Sequence, residues 1–71
     1  MEEMKNLPTK QKLVGIREMI GLTQKDMAKR LEVSGATYNR KENNPFAFTE
    51  DEKIKIQNLF KNHIIDCPNI F

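Results

Sequence analysis

Residues 23–44 read TQKDMAKRLEVSGATYNRKENN, and this stretch predicts two short helices joined by a tight bend. Thr23 is a natural N-cap for the first helix, and Asp26, three residues later, can return the hydrogen bond in a capping box. An apolar stripe follows at helical spacing: Met27, Ala28 and Leu31. Ser34 then suits the N-cap of a second helix from about Gly35 to Glu42. Two helices this close in sequence must cross at a steep angle.

A further helix is predicted on the N-terminal side of this pair. The segment 9–21, TKQKLVGIREMIG, places four apolar residues on one helical face: Leu13, Ile16, Met19 and Ile20. Pro8 fits the start of this helix, and Gly21 fits the C′ position just after its end. We expect residues 1–8 to be flexible.

The C-terminal side predicts two more helices. Asn43-Asn44-Pro45 is a stop signal followed by a turn, and at least one of Phe46 and Phe48 should fill the core. Thr49 and Glu52 form a second capping box, with inward-facing residues after it: Ile56, Leu59 and Phe60. Asp66-Cys67-Pro68 is typical of the cap and first turn of a short fifth helix. The apolar tail residues Ile70 and Phe71 should dock on this core.

Composition and charge narrow the function classes. The chain has 71 residues, which predicts one small domain, and no strand pattern is visible. Its net charge of +2 permits a nucleic-acid partner only if the positive charge is concentrated on one face, and on charge alone a solvated mixed surface is the more common explanation. No catalytic constellation or phosphate-binding glycine loop emerges, so we expect no enzyme activity.

The rest of the composition bears on cofactor binding, on membrane insertion and on the cellular compartment. The single cysteine, Cys67, cannot form an internal disulfide, which favours a reducing cytoplasm. His63 lies four residues before it, but nothing supplies further ligands, so we expect neither metal nor cofactor. No apolar run approaches the ~20 residues that span a membrane.

Several anchors in the central stretch occur together at fixed spacing: Gly21-Leu22-Thr23-Gln24, Ala28, Leu31, Val33-Ser34 and Glu42-Asn43. With them, GLTQKDMAKRLEVS resembles the helix-turn-helix of the Cro/repressor-like DNA-binding proteins, the XRE family of bacterial and phage regulators. The resemblance extends from about Leu13 to Phe60, and TYNRKENN and FTEDEKIKI look most like phage and prophage members.

The resemblance implies an all-α, five-helix domain of the lambda-repressor type over residues 1–71, with its helix-turn-helix at about 23–43. It implies sequence-specific binding of double-stranded operator DNA and regulation of transcription, by a phage or prophage repressor or a Cro-like regulator. The family usually binds inverted repeats, so a homodimer on DNA in the cytoplasm of a bacterial host is expected. The apolar tail (Ile64, Ile65, Ile70 and Phe71) offers either a dimer face or intramolecular packing.

Site residues are carried over position by position. The family's recognition helix reads bases with its N-terminal half, which here comprises Gly35, Ala36, Thr37, Asn39 and Arg40. Phosphate contacts are implied for Gln24, Ser34, Tyr38, Lys41, Asn43 and Asn44. Arg17 and Glu42 match positions that form an ion pair between the first and third helices, and Arg17 could also reach a phosphate.

The chemistry of these side chains indicates which of them would make apolar contacts with bases and which would form hydrogen bonds. Gly35 offers no side chain, so the helix start can approach the bases closely, although a glycine at this position also costs little by itself. Ala36 and the Thr37 methyl group suit a thymine methyl. Asn39 can bind adenine and Arg40 guanine, each contributing roughly 1–3 kcal/mol of discrimination, while Arg40 could instead contact a phosphate.

Three positions depart from the family pattern. Glu32 stands where a glycine in left-handed geometry is usual, which costs about 1–2 kcal/mol if that geometry is kept. Lys41 occupies a position that is usually apolar. Tyr38 precedes the usual polar pair, and we expect it to pack in the core with its hydroxyl pointing outward.

Two alternatives remain open from the residues alone. The same fold could serve as a protein-binding module of the antitoxin or anti-repressor type, which the bare start at Gly35 and Ala36 and the modest charge would suit. It could also be a structural domain without DNA affinity. Salt dependence separates the first alternative from DNA binding, because phosphate contacts weaken linearly on a log–log plot as salt rises.

Overall fold

The computed structural model describes residues 7–71 as a helical domain. Within this range four α-helices follow in chain order: α1 (Thr9–Met19), α2 (Gln24–Leu31), α3 (Gly35–Asn43) and α4 (Glu50–His63), with a 3-10 turn, Pro45–Ala47, before α4. Over the described range there is no strand, which confirms the all-α prediction. The predicted flexibility of residues 1–8 concerns mostly residues 1–6, which lie outside the described range.

The predicted fifth helix is wrong. Residues 64–71 form one turn and then a tail without regular secondary structure that contacts α4. The reason is a side chain on α4: Gln57 donates from Nε2 to the carbonyl of Pro68 (3.1 Å) and accepts the backbone N–H of Ile70 at Oε1 (2.7 Å). These bonds satisfy two backbone groups of the tail without a helix, and Ile70 is fully buried.

The predicted helix starts are present with their caps. The hydroxyl of Thr23 accepts the N–H of Asp26 (3.1 Å), and the Asp26 carboxylate accepts the N–H of Thr23 (2.9 Å). Thr49 and Glu52 form the same reciprocal pair at α4 (2.9 and 3.1 Å). Ser34 caps α3 through the N–H of Thr37 (3.1 Å). Each cap satisfies N–H groups that the first turn of a helix leaves without a partner, and so fixes where that helix begins.

The backbone at the bend between α2 and α3 has left-handed geometry, although the residue there is a glutamate and not a glycine. Glu32 has φ 59° and ψ 41°, and in the described part of the chain no other residue except glycine has a positive φ. Val33 then turns back, donating its N–H to the carbonyl of Ala28 (3.0 Å) and packing against the core. Glu32 therefore bears the backbone strain that a glycine would avoid.

The core is drawn from all four helices, the segment before α4 and the tail. Its buried apolar residues are Leu13, Ile16, Met27, Ala28, Leu31, Tyr38, Phe48, Ile56, Phe60 and Ile70. Phe48 fills the core while Phe46 is 90% exposed, so one of the two phenylalanines packs as expected. Phe71 is 39% exposed and packs edge-on against Phe48, with ring centroids 5.8 Å apart.

One residue of the predicted α1 stripe points the wrong way. Met19 is 56% exposed, whereas Arg17 is buried. At 100° per residue Met19 lies about 120° from Leu13 around the helix, while Arg17 lies about 40° from it. The buried face of α1 therefore runs through Leu13, Ile16 and Arg17, and a charged group enters the core.

Candidate nucleic-acid interface

Glu42, near the end of α3, is the hub of a buried polar network. It is only 3% exposed. Its Oε2 accepts hydrogen bonds from Arg17 Nε (2.8 Å) and from the hydroxyl of Tyr38 (2.7 Å). Its Oε1 accepts from Gln24 Nε2 (2.8 Å) and from a second nitrogen of Arg17 (3.3 Å). One carboxylate therefore ties α1, the start of α2 and two turns of α3 into one arrangement.

Arg17 completes this network from α1. It forms the ion pair with Glu42, and its Nη1 donates to the carbonyl of Leu22 in the connection before α2 (2.9 Å). Its side chain is 11% exposed, so its guanidinium is held in the interior by these acceptors. The buried charge is thus both paired and hydrogen-bonded, which is the condition for tolerating a charge in a core.

Tyr38 is placed differently from the prediction. Its ring is fully buried and its hydroxyl points inward to Glu42, not outward to the surface. Burial, together with the hydrogen bond and the charge of Glu42, raises the pKa of Tyr38 far above its ordinary value. The hydroxyl therefore has no path to a phosphate, and the phosphate contact predicted for Tyr38 is wrong.

Gln24 links the buried network to the surface. Its amide nitrogen donates to Glu42, and its Oε1 accepts from Nδ2 of Asn39 on the outer side of α3 (3.0 Å). Asn43, one turn further on, donates to the carbonyl of Asn39 (3.0 Å). The first residue of α2 and the middle of α3 are thereby held side by side, with their amides in a fixed orientation.

The surface beside Gln24 is formed by the N-terminal half of α3. Gly35, Ala36, Asn39 and Arg40 are exposed, and Thr37 is half-buried. Gly35 does not have a positive φ, and a Cβ added there would meet nothing within 4 Å. Neither backbone strain nor packing within the chain therefore requires glycine at this position.

The remaining predicted phosphate residues fall into two groups. Ser34, Asn43 and Asn44 are exposed at the two ends of α3. Lys41 instead donates from Nζ to both carboxylate oxygens of Glu52 on α4 (2.7 and 3.0 Å). Its ammonium group is held by α4 and is not free to meet a phosphate. This pair also explains how a lysine fits a position that is apolar in the family pattern.

Sequence reasoning missed the contact between Gln24 and Asn39. Fifteen positions separate the two residues in the chain, and each was assigned a role by itself. The signal that could have joined them is the steep crossing of α2 and α3, which brings the start of one helix against the middle of the other.

Metal binding and membrane insertion are two other properties that residues 7–71 could show. Residues 7–71 contain no group of three or more histidine, cysteine or acidic side chains that could hold a metal ion. Within the same range, no helix combines the length and the apolar character needed to cross a membrane. Comparisons of the chain with protein-family models, with curated proteins and with solved structures found no match. What the site can do therefore follows from its own residues and geometry.

Proposed function

We propose that the protein binds double-stranded DNA in a sequence-specific manner through α3 and regulates transcription as a repressor or Cro-like regulator of the XRE type. The observation that carries the proposal is the coupling of Gln24 to Asn39 beside an exposed, nearly bare start of α3. A helix placed in the major groove reads bases with its N-terminal residues, while the start of the preceding helix meets the backbone.

Gln24 suits a backbone phosphate. Its amide group has two N–H donors, and Glu42 takes one of them (2.8 Å). The N–H of Asp26 is taken by the cap at Thr23. The other amide N–H of Gln24, together with the backbone N–H groups of the first two residues of α2, can bind an anion at the positive end of that helix. Because Glu42 and Asn39 fix the amide from both sides, the remaining donor is oriented before DNA arrives, which reduces the entropy cost of binding.

Asn39 and Arg40 supply the hydrogen bonds to bases. Asn39 donates one Nδ2 hydrogen to Gln24, and its Oδ1 accepts a long hydrogen bond from Nδ2 of Asn43 (3.4 Å). The second Nδ2 hydrogen and the second lone pair of Oδ1 are left for an adenine. Arg40 is exposed on the next position of α3 and has the geometry to bind guanine through two hydrogen bonds. The neighbouring apolar surface of Ala36 and the Thr37 methyl group suits a thymine methyl.

Two copies on an inverted repeat would raise both affinity and specificity, and we include a homodimer on DNA in the proposal. A single short helix contacts few base pairs, and two-fold operators match two-fold proteins. In this account the host is a bacterial cell and the protein acts in its cytoplasm.

The test is a selection of duplex DNA from a random pool, followed by binding measurements on the enriched sequence. The informative variant is Gly35→Leu, because Gly35 is exposed and a Cβ there would meet nothing within 4 Å in the protein, while a major groove in close contact has no space for an added side chain. We expect an unchanged melting temperature and an affinity lower by about ten-fold or more. The control is Asn58→Leu, which adds the same side chain at an exposed position of α4.

Two results would contradict the proposal. One is failure of the selection to enrich any duplex. The other is equal affinity of wild type and Gly35→Leu for the enriched duplex, which would remove α3 from the interface.

A protein-binding module is the second candidate function, and exposed apolar residues favour it. Phe46 is 90% and Ile65 is 99% exposed, and both lie outside the α3 surface. In that case DNA would bind weakly and without sequence preference, while binding of the protein partner would barely respond to salt.

A further inference from the structure

An apolar depression lies where the start of α1, the 3-10 turn and the C-terminus meet. It encloses about 390 Å³ and is lined by Pro8, Lys10, Pro45, Phe46, Lys53 and Phe71, among others. Phe46 and Phe71 are both exposed, at 90% and 39%. Two accessible aromatic rings with two prolines form a surface that water solvates poorly, which is typical of an interaction site.

The rim of this depression is basic. Lys10 is exposed, and Lys53 Nζ lies 5.9 Å from the ring centroid of Phe71. Lys53 also lies 3.6 Å from the carboxylate of Glu50, but that carboxylate is 87% exposed and the pair is correspondingly weak. The surface therefore fits an apolar side chain that is followed directly by a carboxylate.

The same chain carries such a pair of residues just after the C-terminal end of α4. Ile65 is 99% exposed and Asp66 is also exposed, and together they form the turn after α4. The half-buried Ile64 anchors this turn, since its carbonyl accepts the N–H of Cys67 (3.3 Å). The turn thus presents an isoleucine and an aspartate side by side.

Ile65 cannot fill the depression of its own chain. Lys53 lies in the first turn of α4, and Ile65 follows the last residue of that helix, His63. The ten-residue separation between Lys53 and His63 corresponds to about 15 Å along the axis. An occupant of this chemistry must therefore come from another molecule.

We propose that the occupant is a second copy of this chain: Ile65 of one copy packs between Phe46 and Phe71 of the other, and Asp66 faces Lys10 and Lys53. Both halves of the contact exist on every copy, so two molecules related by a two-fold axis exchange them reciprocally, whereas an arrangement that does not close would give longer chains and not a dimer. The contact does not depend on DNA, and it stands or fails independently of the function proposed above.

The first test is sedimentation equilibrium of the full chain without DNA, from about 10 µM to 1 mM, a range suited to a small interface. We expect a concentration-dependent dimer. Ile65→Ser and Phe46→Ser should each weaken the dimer by about ten-fold or more. The matched control is Ile54→Ser, because Ile54 is 56% exposed on α4 and does not line the depression.

Mixing identifies the two halves of the contact. Ile65→Ser retains the depression and Phe46→Ser retains the isoleucine, so a mixture of these two variants should dimerise more strongly than either variant alone. An interface in which Phe46 packs on its own symmetry copy would show no such recovery, and that result would overturn the proposal.

Charge exchange tests the polar half. Asp66→Lys and Lys10→Glu should each weaken the dimer, and the double variant should recover part of the loss. A wild-type chain that stays monomeric over the whole concentration range would also overturn the proposal, whether the depression is then covered by another protein or by residues 1–6 of the same chain.

Discussion

Replacing Glu42 with alanine should destabilise the fold far more than an ordinary change of a charged residue. The substitution removes the acceptor for Arg17, whose side chain is only 11% exposed, and for the fully buried hydroxyl of Tyr38. Breaking a buried ion pair by removing one partner costs about 3–5 kcal/mol, and an unpaired buried hydroxyl costs about 1–3 kcal/mol. These contributions share one site and do not add fully, so we expect a loss of about 3–5 kcal/mol.

This loss is large for so small a domain. A chain of 71 residues has a free energy of unfolding of about 4–11 kcal/mol. The assay is chemical denaturation of wild type and Glu42→Ala, with Glu50→Ala as control because that carboxylate is 87% exposed. If the two variants differ by less than about 1 kcal/mol, the network centred on Glu42 does not hold the helices together.

A double-mutant cycle with Tyr38→Phe isolates one contact of the network. Alone, Tyr38→Phe should cost about 1 kcal/mol, because it leaves one lone pair of the buried carboxylate without its donor. In the Glu42→Ala background the hydroxyl has already lost its acceptor, so the same change should cost nothing or stabilise the fold. Equal costs in both backgrounds would show that the bond between Tyr38 and Glu42 contributes nothing.

Three further predictions concern stability. Glu32→Gly should raise the free energy of unfolding by up to about 1 kcal/mol in denaturation, since Glu32 has φ 59° and glycine adopts this geometry without strain; a lower stability would show that the Glu32 side chain matters more than its backbone. Burial opposes ionisation of Glu52, but hydrogen bonds from Lys41 and from the N–H of Thr49 outweigh it and hold its pKa below the ordinary 4.5. A depressed pKa stabilises the fold above pH 4.5, and this contribution is lost as the pH falls below that value. Glu52→Gln should therefore lower the melting temperature at pH 7, and the difference from wild type should disappear in acid. The control Glu50→Gln should not show this pH-dependent difference. Ile70→Ala should cost about 2–5 kcal/mol because Ile70 is fully buried, whereas Ile65→Ala should leave the melting temperature unchanged; equal effects would mean that the tail does not dock.

The parts of the fold that could be predicted are those fixed by local chemistry. Thr23, Ser34 and Thr49 each have a side chain that satisfies N–H groups within the next three residues, so the start of a helix can be recognised without knowing what the helix packs against. The tight bend could also be predicted locally, because only three residues separate the two helices.

The wrong predictions depend on contacts between distant residues. The tail after His63 has local signals for a helix, but Gln57 binds its backbone at Pro68 and Ile70, and no helix forms there. Met19 is apolar but lies about 120° from Leu13 around α1 and is exposed, whereas Arg17 lies on the buried face, where Glu42 pairs with it. Gln57 cannot be identified as the partner of the tail from the local sequence, and the pairing of Arg17 with Glu42 was expected only from the resemblance, not from the helical pattern of α1.

In the candidate site, too, some features could be predicted from local sequence and others depend on contacts between distant residues. The exposure of Gly35, Ala36 and Arg40 agrees with the surface expected from the resemblance. The inward hydroxyl of Tyr38, the capture of Lys41 by α4 and the bond from Asn39 to Gln24 all require the crossing geometry of the helices. Side-chain type alone therefore gave a list of candidates, and packing decides which of them can reach a ligand.

The most direct test of the central claim is a salt titration of binding to the selected duplex, with wild type, Arg40→Ala and Arg30→Ala. Arg30 is an exposed arginine on α2 beside α4, so its loss changes the net charge equally without touching the α3 surface. We expect wild-type affinity to fall about 100-fold between 50 and 200 mM salt if about four phosphates are engaged. Arg40→Ala should lose about 1–3 kcal/mol at one base pair and relax specificity there, while Arg30→Ala stays close to wild type. Equal losses for the two variants, or an affinity that ignores salt, would contradict the account that α3 reads DNA.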